Sequence, residues 1–158
     1  SGVHLASNVR IDDFCILSAG SDGIHVKSFV HIGCYSSLIG EGLIEIGMFS
    51  NISSRVSIYS SNDDYSGQSM TNPMISAEYK NLEISPVLVG EHVIIGSNCT
   101  ILPGVNIAEG AAIGAHSLVK NSCEAFKIYA GIPAKVIKER QKQMKTLAYQ
   151  MISSPDIE

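Results

Sequence analysis

The sequence predicts an all-β fold, a parallel β-helix, and three observations between Val89 and Val119 predict it. Read in sixes, every first position is Val or Ile: Val89, Ile95, Ile101, Ile107, Ile113 and Val119. Every fifth position is small or compact: Val93, Cys99, Val105, Ala111 and Ser117. Most second positions are Gly or Ala. A helix repeats at about 3.6 residues and a strand at about 2, so a period of six belongs to neither alone. A fixed short period marks a solenoid, and hexads mark a β-helix.

The spacing sets the geometry. Three sixes close one triangular coil, so residues eighteen apart stack at roughly 4.8 Å. Ile95 is expected over Ile113, Ser97 over Ala115 and Ile101 over Val119. First positions fill the interior, and fifth positions are small because the interior narrows toward each corner. Gly at the second position is expected to relieve the backbone where the chain turns.

Upstream the period continues with breaks. Leu5, Ile11 and Leu17 keep the spacing, with Cys15 in a small position. A bulging loop, Ser18 to Gly23, interrupts it. Val26, Ile32 and Leu38 resume it, with Val30 and Ser36 at fifth positions. After a slip at Gly40-Glu41-Gly42 come Ile46, Ile52 and Ile58, with Ser50 and Val56 inside. Insertions leave a solenoid at its corners, where the chain exits without breaking a stack. The count is about five coils.

The largest interruption, about 59–86, is polar and has no sixfold frame; a loop this long in a compact fold is usually functional. Beyond Val119 the repeat decays. From Lys135 to about 152 the composition favours a helix, with Val136, Ile137, Met144, Leu147 and Met151 on one face, covering the open end of the prism. The expected organisation is a β-helix domain over 1–134, a C-terminal capping α-helix over 135–152 and a disordered tail over 153–158.

At 158 residues the chain is one domain. Its net charge of -4 argues against nucleic acid. No apolar run has membrane-spanning length. It opens on Ser1-Gly2 rather than Met, as a processed or cut end would, so a preceding segment is an open expectation. Cys15 and Cys99 read as buried, reduced thiols, and with no CxxC pair the expected compartment is the cytoplasm.

These hexads, the loop before them and the closing Ala130-Gly131-Ile132-Pro133-Ala134-Lys135 resemble the left-handed β-helix acyltransferases, which use acetyl-CoA or another acyl-CoA. Within that family, Ser60 to Gly67 and Met70 to Pro73 look most like surface-polysaccharide sugar acyltransferases, above all N-acyltransferases of dTDP-linked amino-dideoxyhexoses. The left-handed winding comes from the resemblance and departs from the usual crossover rule. The resemblance implies a homotrimer with acyl-CoA between neighbouring prisms. Ser97 and Ala115 match the positions whose main chain grips the pantetheine arm. Lys120, Lys135 and Lys138 fall near where the family meets the nucleotide phosphates.

One departure bears on the chemistry. Relatives that acetylate hydroxyls carry a His in the loop as general base, and here that place falls on Asp63, between Asn62 and Asp64. A hydroxyl needs a positioned base to attack a thioester, whereas a neutral amine needs less help. Loss of the His and gain of carboxylates therefore tilts the reading from O- to N-acylation of a sugar. Asp63 is the first choice for the base and Asp64 the second, with Ser53 or Ser54 as hydrogen-bond partner. Asn62 and Tyr65 are expected near the acceptor. The bland alternative is that Asn62-Asp63-Asp64 is only a turn. His116, one residue past the Ser97/Ala115 edge, is a substitute base or an exposed side chain; His92 is also outward.

Two other classes fit the sequence less well. A zinc enzyme like the γ-type carbonic anhydrases needs three His at coil interfaces. His25 and His31 are six apart, on different sides of the prism, and no two histidines are five apart. No metal is expected. A non-catalytic scaffold is disfavoured by the long polar loop and the Lys-bearing ending.

Overall fold

A computed structural model of the chain describes residues 2–154. Ser1 and residues 155–158, the last part of the expected tail, lie outside them.

The chain winds as a parallel β-helix. Coil 1 is β1 (Val3–Leu5), β2 (Arg10–Ile11) and β3 (Ile16–Ala19). Coil 2 is β4 (Ile24–Val26), β5 (His31–Ile32) and β6 (Ser37–Gly40). Coil 3 is β7 (Ile44–Ile46), β8 (Asn51–Ile52) and β9 (Ser57–Tyr59). An excursion follows, whose base is an antiparallel pair, β10 (Ser61–Asn62) and β11 (Glu83–Ile84). Coil 4 is β12 (Val87–Val89), β13 (Ile94–Ile95) and β14 (Thr100–Ile101). Coil 5 is β15 (Asn106–Ile107), β16 (Ala112–Ile113) and β17 (Leu118–Val119). A partial sixth coil adds a bridge from Cys123 to Ile107, then β18 (Lys127–Gly131).

Every third strand joins the same sheet, which makes three faces. These run β1-β4-β7-β12-β15, β2-β5-β8-β13-β16-β18 and β3-β6-β9-β14-β17. Ile95 pairs with Ile113 and Ile101 with Val119, as the eighteen-residue step requires. The insertions lengthen the early coils: Val3 faces Ile24 and Ile24 faces Ile44, steps of 21 and 20 residues. Both extra loops and the long excursion leave at one corner, between the third face and the first.

The interior is the predicted one. The first-position residues from Val26 to Val119 and fifth-position Val30, Val56, Val93, Cys99, Val105 and Ala111 are buried. Ser36, Ser50 and Ser117 fit there because each hydroxyl is used twice. Ser50 Oγ donates to Gly90 O at 2.8 Å and accepts from Val93 N–H at 3.2 Å. Ser117 Oγ donates to Gly114 O at 2.6 Å and accepts from Gly131 N–H at 3.1 Å. Coil 1 is the exception. Leu5 is 51% exposed, and Ile11 and Leu17 are only partly buried, because among the described residues no further coil packs on that side of them.

The role expected for second-position glycine is corrected. The turning residue is the fourth of each hexad, where φ is +58° at His92, +60° at Asn98, +79° at Gly104, +67° at Gly110 and +57° at His116. Asn and His tolerate that left-handed region better than most side chains. Second-position glycines serve close approach instead: a Cβ on Gly96 would lie 2.5 Å from Ala115 N, and one on Gly47 would lie 2.5 Å from Gly90 C.

The C-terminus also differs from expectation. Residues 135–139 are not helical: β19 (Ala134–Glu139) folds back antiparallel on β18. That hairpin, rather than a helix, covers the end strand of the second face. β18 offers an open edge, and the β-branched Val136 and Ile137 suit a strand. The helix is α1 (Gln143–Ile152), and none of its residues is buried in the single chain. Arg140 ties this ending to the prism, its guanidinium donating to the carbonyls of His92, Gly110 and Ala111 at 2.8, 3.0 and 3.2 Å.

Candidate functional site

The corner between the second and third faces carries one hexad position through every coil. Its outward pairs are Asp13-Phe14, Cys34-Tyr35, Ser54-Arg55, Ser97-Asn98 and Ala115-His116. They stack through the main chain. Tyr35 N–H donates to Asp13 O at 3.2 Å, Arg55 N–H to Cys34 O at 3.0 Å, Asn98 N–H to Ser54 O at 3.1 Å and His116 N–H to Ser97 O at 2.9 Å. The result is a straight edge parallel to the prism axis. Ser97 and Ala115 occupy it as predicted, and Ser54 occupies it one coil earlier. The expected role of Ser54, a partner of the loop acids, did not include this edge; its third-position place in its hexad is the signal for it.

The excursion leaves from the other corner. Ser54 and Asp63 therefore lie on different corners of one chain, and the structure does not bring them together. Asp63 lines a cleft of about 390 Å³ with Ser61, Asn72, Lys80, Glu41 and Gly20. It also lines a smaller one of about 190 Å³ with Asp64, Tyr65 and Thr71. Tyr65 is exposed, and Asn62 sits in β10 opposite Glu83.

The two aspartates differ in their bonding. Asp64 is a turn cap: Oδ1 accepts from Ser66 N–H at 2.7 Å, and Oδ2 accepts from Ser69 N–H at 2.9 Å and Ser69 Oγ at 2.6 Å. These bonds, first those to Ser66 and Ser69, hold its carboxyl well below the usual carboxylate range. A carboxylate so stabilised is a poor base. The turn alternative thus applies to Asp64, while Asp63 is left facing the clefts.

A pH prediction follows from Asp64. Its folded-state pKa is depressed, so its ordering effect is complete above the ordinary value near 3.8 and is lost as pH falls below it. Asp64→Asn is expected to speed limited proteolysis of the excursion at pH 7. The difference from wild type should begin to shrink below about pH 3.8 and vanish only as pH falls through the depressed folded value, where the ordered carboxylate itself becomes protonated.

The predicted cationic residues do not converge. Lys135 follows Gly131, which continues the edge beyond Ala115, since Ala112 pairs with Ile128 and Ile113 with Tyr129. Lys138 lies at the far end of β19 opposite Ile128, and Lys120 follows β17 of the third face. All three are exposed. His116 is exposed on the edge, two coils beyond Ser54. His92 belongs to another corner, where it stacks on Phe49 with ring centroids 5.1 Å apart.

Among the described residues the one group able to hold a metal is Glu91, His92 and Glu109, with a single His. Glu109 is already bridged by Lys145 at 2.7 Å. His25 and His31 lie on different faces, which is not the three-His zinc arrangement. The thiols are free; burial raises Cys99, and it pushes Cys123 up to about 11, so neither is a nucleophile at neutral pH.

A hexad prism with a straight edge of small residues and a polar excursion is the build of a hexapeptide-repeat transferase. Residues 86–121 match the family model described as bacterial transferase hexapeptide (six repeats). The chain is 53% identical over 145 residues to a dTDP-4-amino-4,6-dideoxy-D-glucose acyltransferase of Escherichia coli, covering 92% of this chain and 76% of that protein. It is 35% identical to WbbJ of Escherichia coli K12, a putative lipopolysaccharide biosynthesis O-acetyl transferase, over 79% of this chain and 62% of that one. Among solved structures it superposes with a TM-score of 0.92 on AntD, an N-acyltransferase from Bacillus cereus in complex with dTDP and 3-hydroxybutyryl-CoA. That match is 41% identical and covers 98% of this chain and 81% of the other. The chain belongs to the left-handed β-helix, hexapeptide-repeat acyltransferase family and is an acyl-CoA-dependent sugar acyltransferase.

Proposed function

We propose that the enzyme transfers an acyl group from acyl-CoA to the amino group of a nucleotide-linked amino-dideoxy sugar, in surface polysaccharide biosynthesis. The observation that carries the choice of an amine is the excursion, which holds no His and presents Asp63, a carboxylate not tied into the Asp64 turn, to its clefts. The similarity to a protein named for a dTDP-amino sugar, and to AntD, crystallised with dTDP-4-amino-4,6-dideoxyglucose, supports the same acceptor. AntD has been crystallised with substitutions at one serine and at an aspartate ten positions later. Ser53 with Asp63, and Ser54 with Asp64, both keep that spacing.

Acyl-CoA lies along the edge, its pantetheine arm beside Ser97 and Ala115, its phosphates toward Lys135 and its thioester toward Ser54. The amine lone pair attacks the thioester carbonyl carbon, the C–S bond breaks and the thiolate of CoA leaves. The proton released from nitrogen passes to Asp63, directly or through a water molecule. Because Asp63 and Ser54 occupy different corners, the excursion of one protomer completes the edge of its neighbour. A homotrimer of prisms provides that arrangement, and the uncovered α1, with Leu147 and Met151 exposed, leaves apolar surface for such an assembly. The four free thiols suit the cytoplasm, the compartment we assign. Among the described residues no helix is long and apolar enough to cross a membrane.

A turnover screen of amino against hydroxy sugars, each free and dTDP-linked, tests the reading. Acylation confined to the dTDP-linked amino sugar is expected. Turnover of the hydroxy sugar instead would favour the O-acetyltransferase reading that WbbJ raises. A second prediction concerns the edge. Ala115→Trp is expected to raise KM for acyl-CoA at least about tenfold with little change in KM for the sugar, because the bulk stands where the arm must lie. Steady-state kinetics in both substrates checks it.

A further inference from the structure

The excursion leaves at the corner between the third and first faces, and the edge runs along the corner between the second and third. Both parts of the site therefore bound one face, the third. That face differs from its neighbours in charge. Its five strands hold no charged residue. The first face carries Glu45 paired with Lys27 at 3.2 Å, and the second carries Arg10 and His31, each 2.8 Å from Asp12. Outward on the third face one column runs Ile16, Ser37, Ser57, Thr100 and Leu118, in register through five coils. Its middle is short hydroxyl side chains, and Ser37 Oγ donates to Ser57 Oγ at 3.3 Å.

We infer that the third face is the surface on which copies of this chain close around a common axis. The inference rests on the reading above that Asp63 serves the edge of a neighbour. In a closed ring each protomer meets the next through two different patches. For triangular prisms those patches are the two corners that flank the inward face. With the first face inward, the excursion would meet the corner of Phe49 and His92; with the second inward, the edge would meet that corner. Only the third face, turned inward, sets the excursion of each protomer on the edge of the next. Size agrees with this choice. A side of six residues is about 18 Å wide, which leaves the axis of a three-membered ring about 5 Å from each inward face. Short hydroxyls fit that space and can pair with one another. A charge there would be repeated around the axis and removed from water, at high cost. Ile16 and Leu118 add apolar contact at the two ends of the column.

Subunit complementation and substitutions on single faces test it together. Asp63→Asn chains, which keep a sound edge, are co-expressed with Ala115→Trp chains, which keep a sound excursion. At acyl-CoA below its wild-type KM, the mixed oligomers should regain about a quarter of wild-type turnover, the share of sites that draw edge and excursion from different chains at equal mixing. Ser57→Arg should lower the mass seen by light scattering to that of one chain. Leu88→Arg, on the first face, should leave the trimer intact. In a Cys34→Ser background a short bismaleimide should join Ser57→Cys chains to one another and leave Leu88→Cys chains unjoined; this arm decides if Ser57→Arg fails to fold. Mixed oligomers no more active than either parent would remove the pairing of Asp63 with a neighbour's edge, and the inference with it. A wild type of single-chain mass would do the same. Regained turnover with Ser57→Arg still trimeric and Ser57→Cys unjoined would overturn the choice of the third face alone.

Discussion

Replacing Asp63 by Asn is expected to lower kcat at least about tenfold while leaving the thermal unfolding midpoint and KM for acyl-CoA unchanged. General-base assistance contributes roughly 10²–10⁴ where the nucleophile needs it, and an amine needs less than a hydroxyl, so the expected loss is set below that range. The substitution keeps size and shape and removes only the proton acceptor. The fold should not notice, since Asp63 faces open clefts rather than holding a turn. Asp64→Asn should show the reverse pattern, because its oxygens bind Ser66 and Ser69. It loosens the excursion, raises KM for the acceptor and acts on kcat only through position. Steady-state kinetics of the two variants beside their melting curves separates base from cap. Full activity in Asp63→Asn would remove Asp63 from the mechanism.

A large loss of stability is expected from Gly47→Ala. A methyl group there would lie 2.5 Å from Gly90 C, 2.6 Å from Gly90 O and 2.7 Å from Glu91 N, all main-chain atoms of the next coil. Stacked strands keep a fixed spacing, so the coil can yield only by splaying. Overpacking of this kind costs about 1–3 kcal/mol and more where the neighbour cannot move. For a chain of this length about 3 kcal/mol corresponds to roughly 6–12 °C in the unfolding midpoint. Gly114→Ala provides the comparison. There the nearest atom is the Ala130 Cβ at 3.1 Å, a side-chain methyl on the terminal hairpin that can shift. Calorimetry should rank Gly47→Ala well below Gly114→Ala. Equal midpoints would show that second-position glycine is not required by inter-coil contact.

The fold was legible because a solenoid repeats its demands. Each coil needs the same inward residue, so Ile95, Ile101 and Ile107 announce one environment again and again, and their burial followed. Departures came where the repeat ends. Leu5 has the right spacing, but among the described residues no coil packs beneath it. Residues 135–139 have a composition that suits a helix, yet they form a strand because β18 presents an open edge. The glycine assignment erred for a related reason: periodicity shows that a position is restricted, whereas only the neighbouring coil shows what restricts it.

The candidate site divides in the same way. Ser97, Ala115 and the unusual Asp63 could be read from one sequence, since spacing and a missing His are local facts. The different duties of Asp63 and Asp64 could not, because Ser66 and Ser69 are drawn to Asp64 by the turn the loop makes. Nor could the alignment of Phe14, Tyr35 and Ser54 on one edge, since coils 1 and 2 depart from the eighteen-residue step. What the sequence by itself determined is the β-helix, its core and the straight edge that Ser97 and Ala115 share, all consequences of a short period. What only the tertiary structure decided is that the excursion and that edge occupy different corners. The reason is physical: a hexad sets which way its own side chains point, but the corner at which an insertion leaves is set by how the closed coils stack.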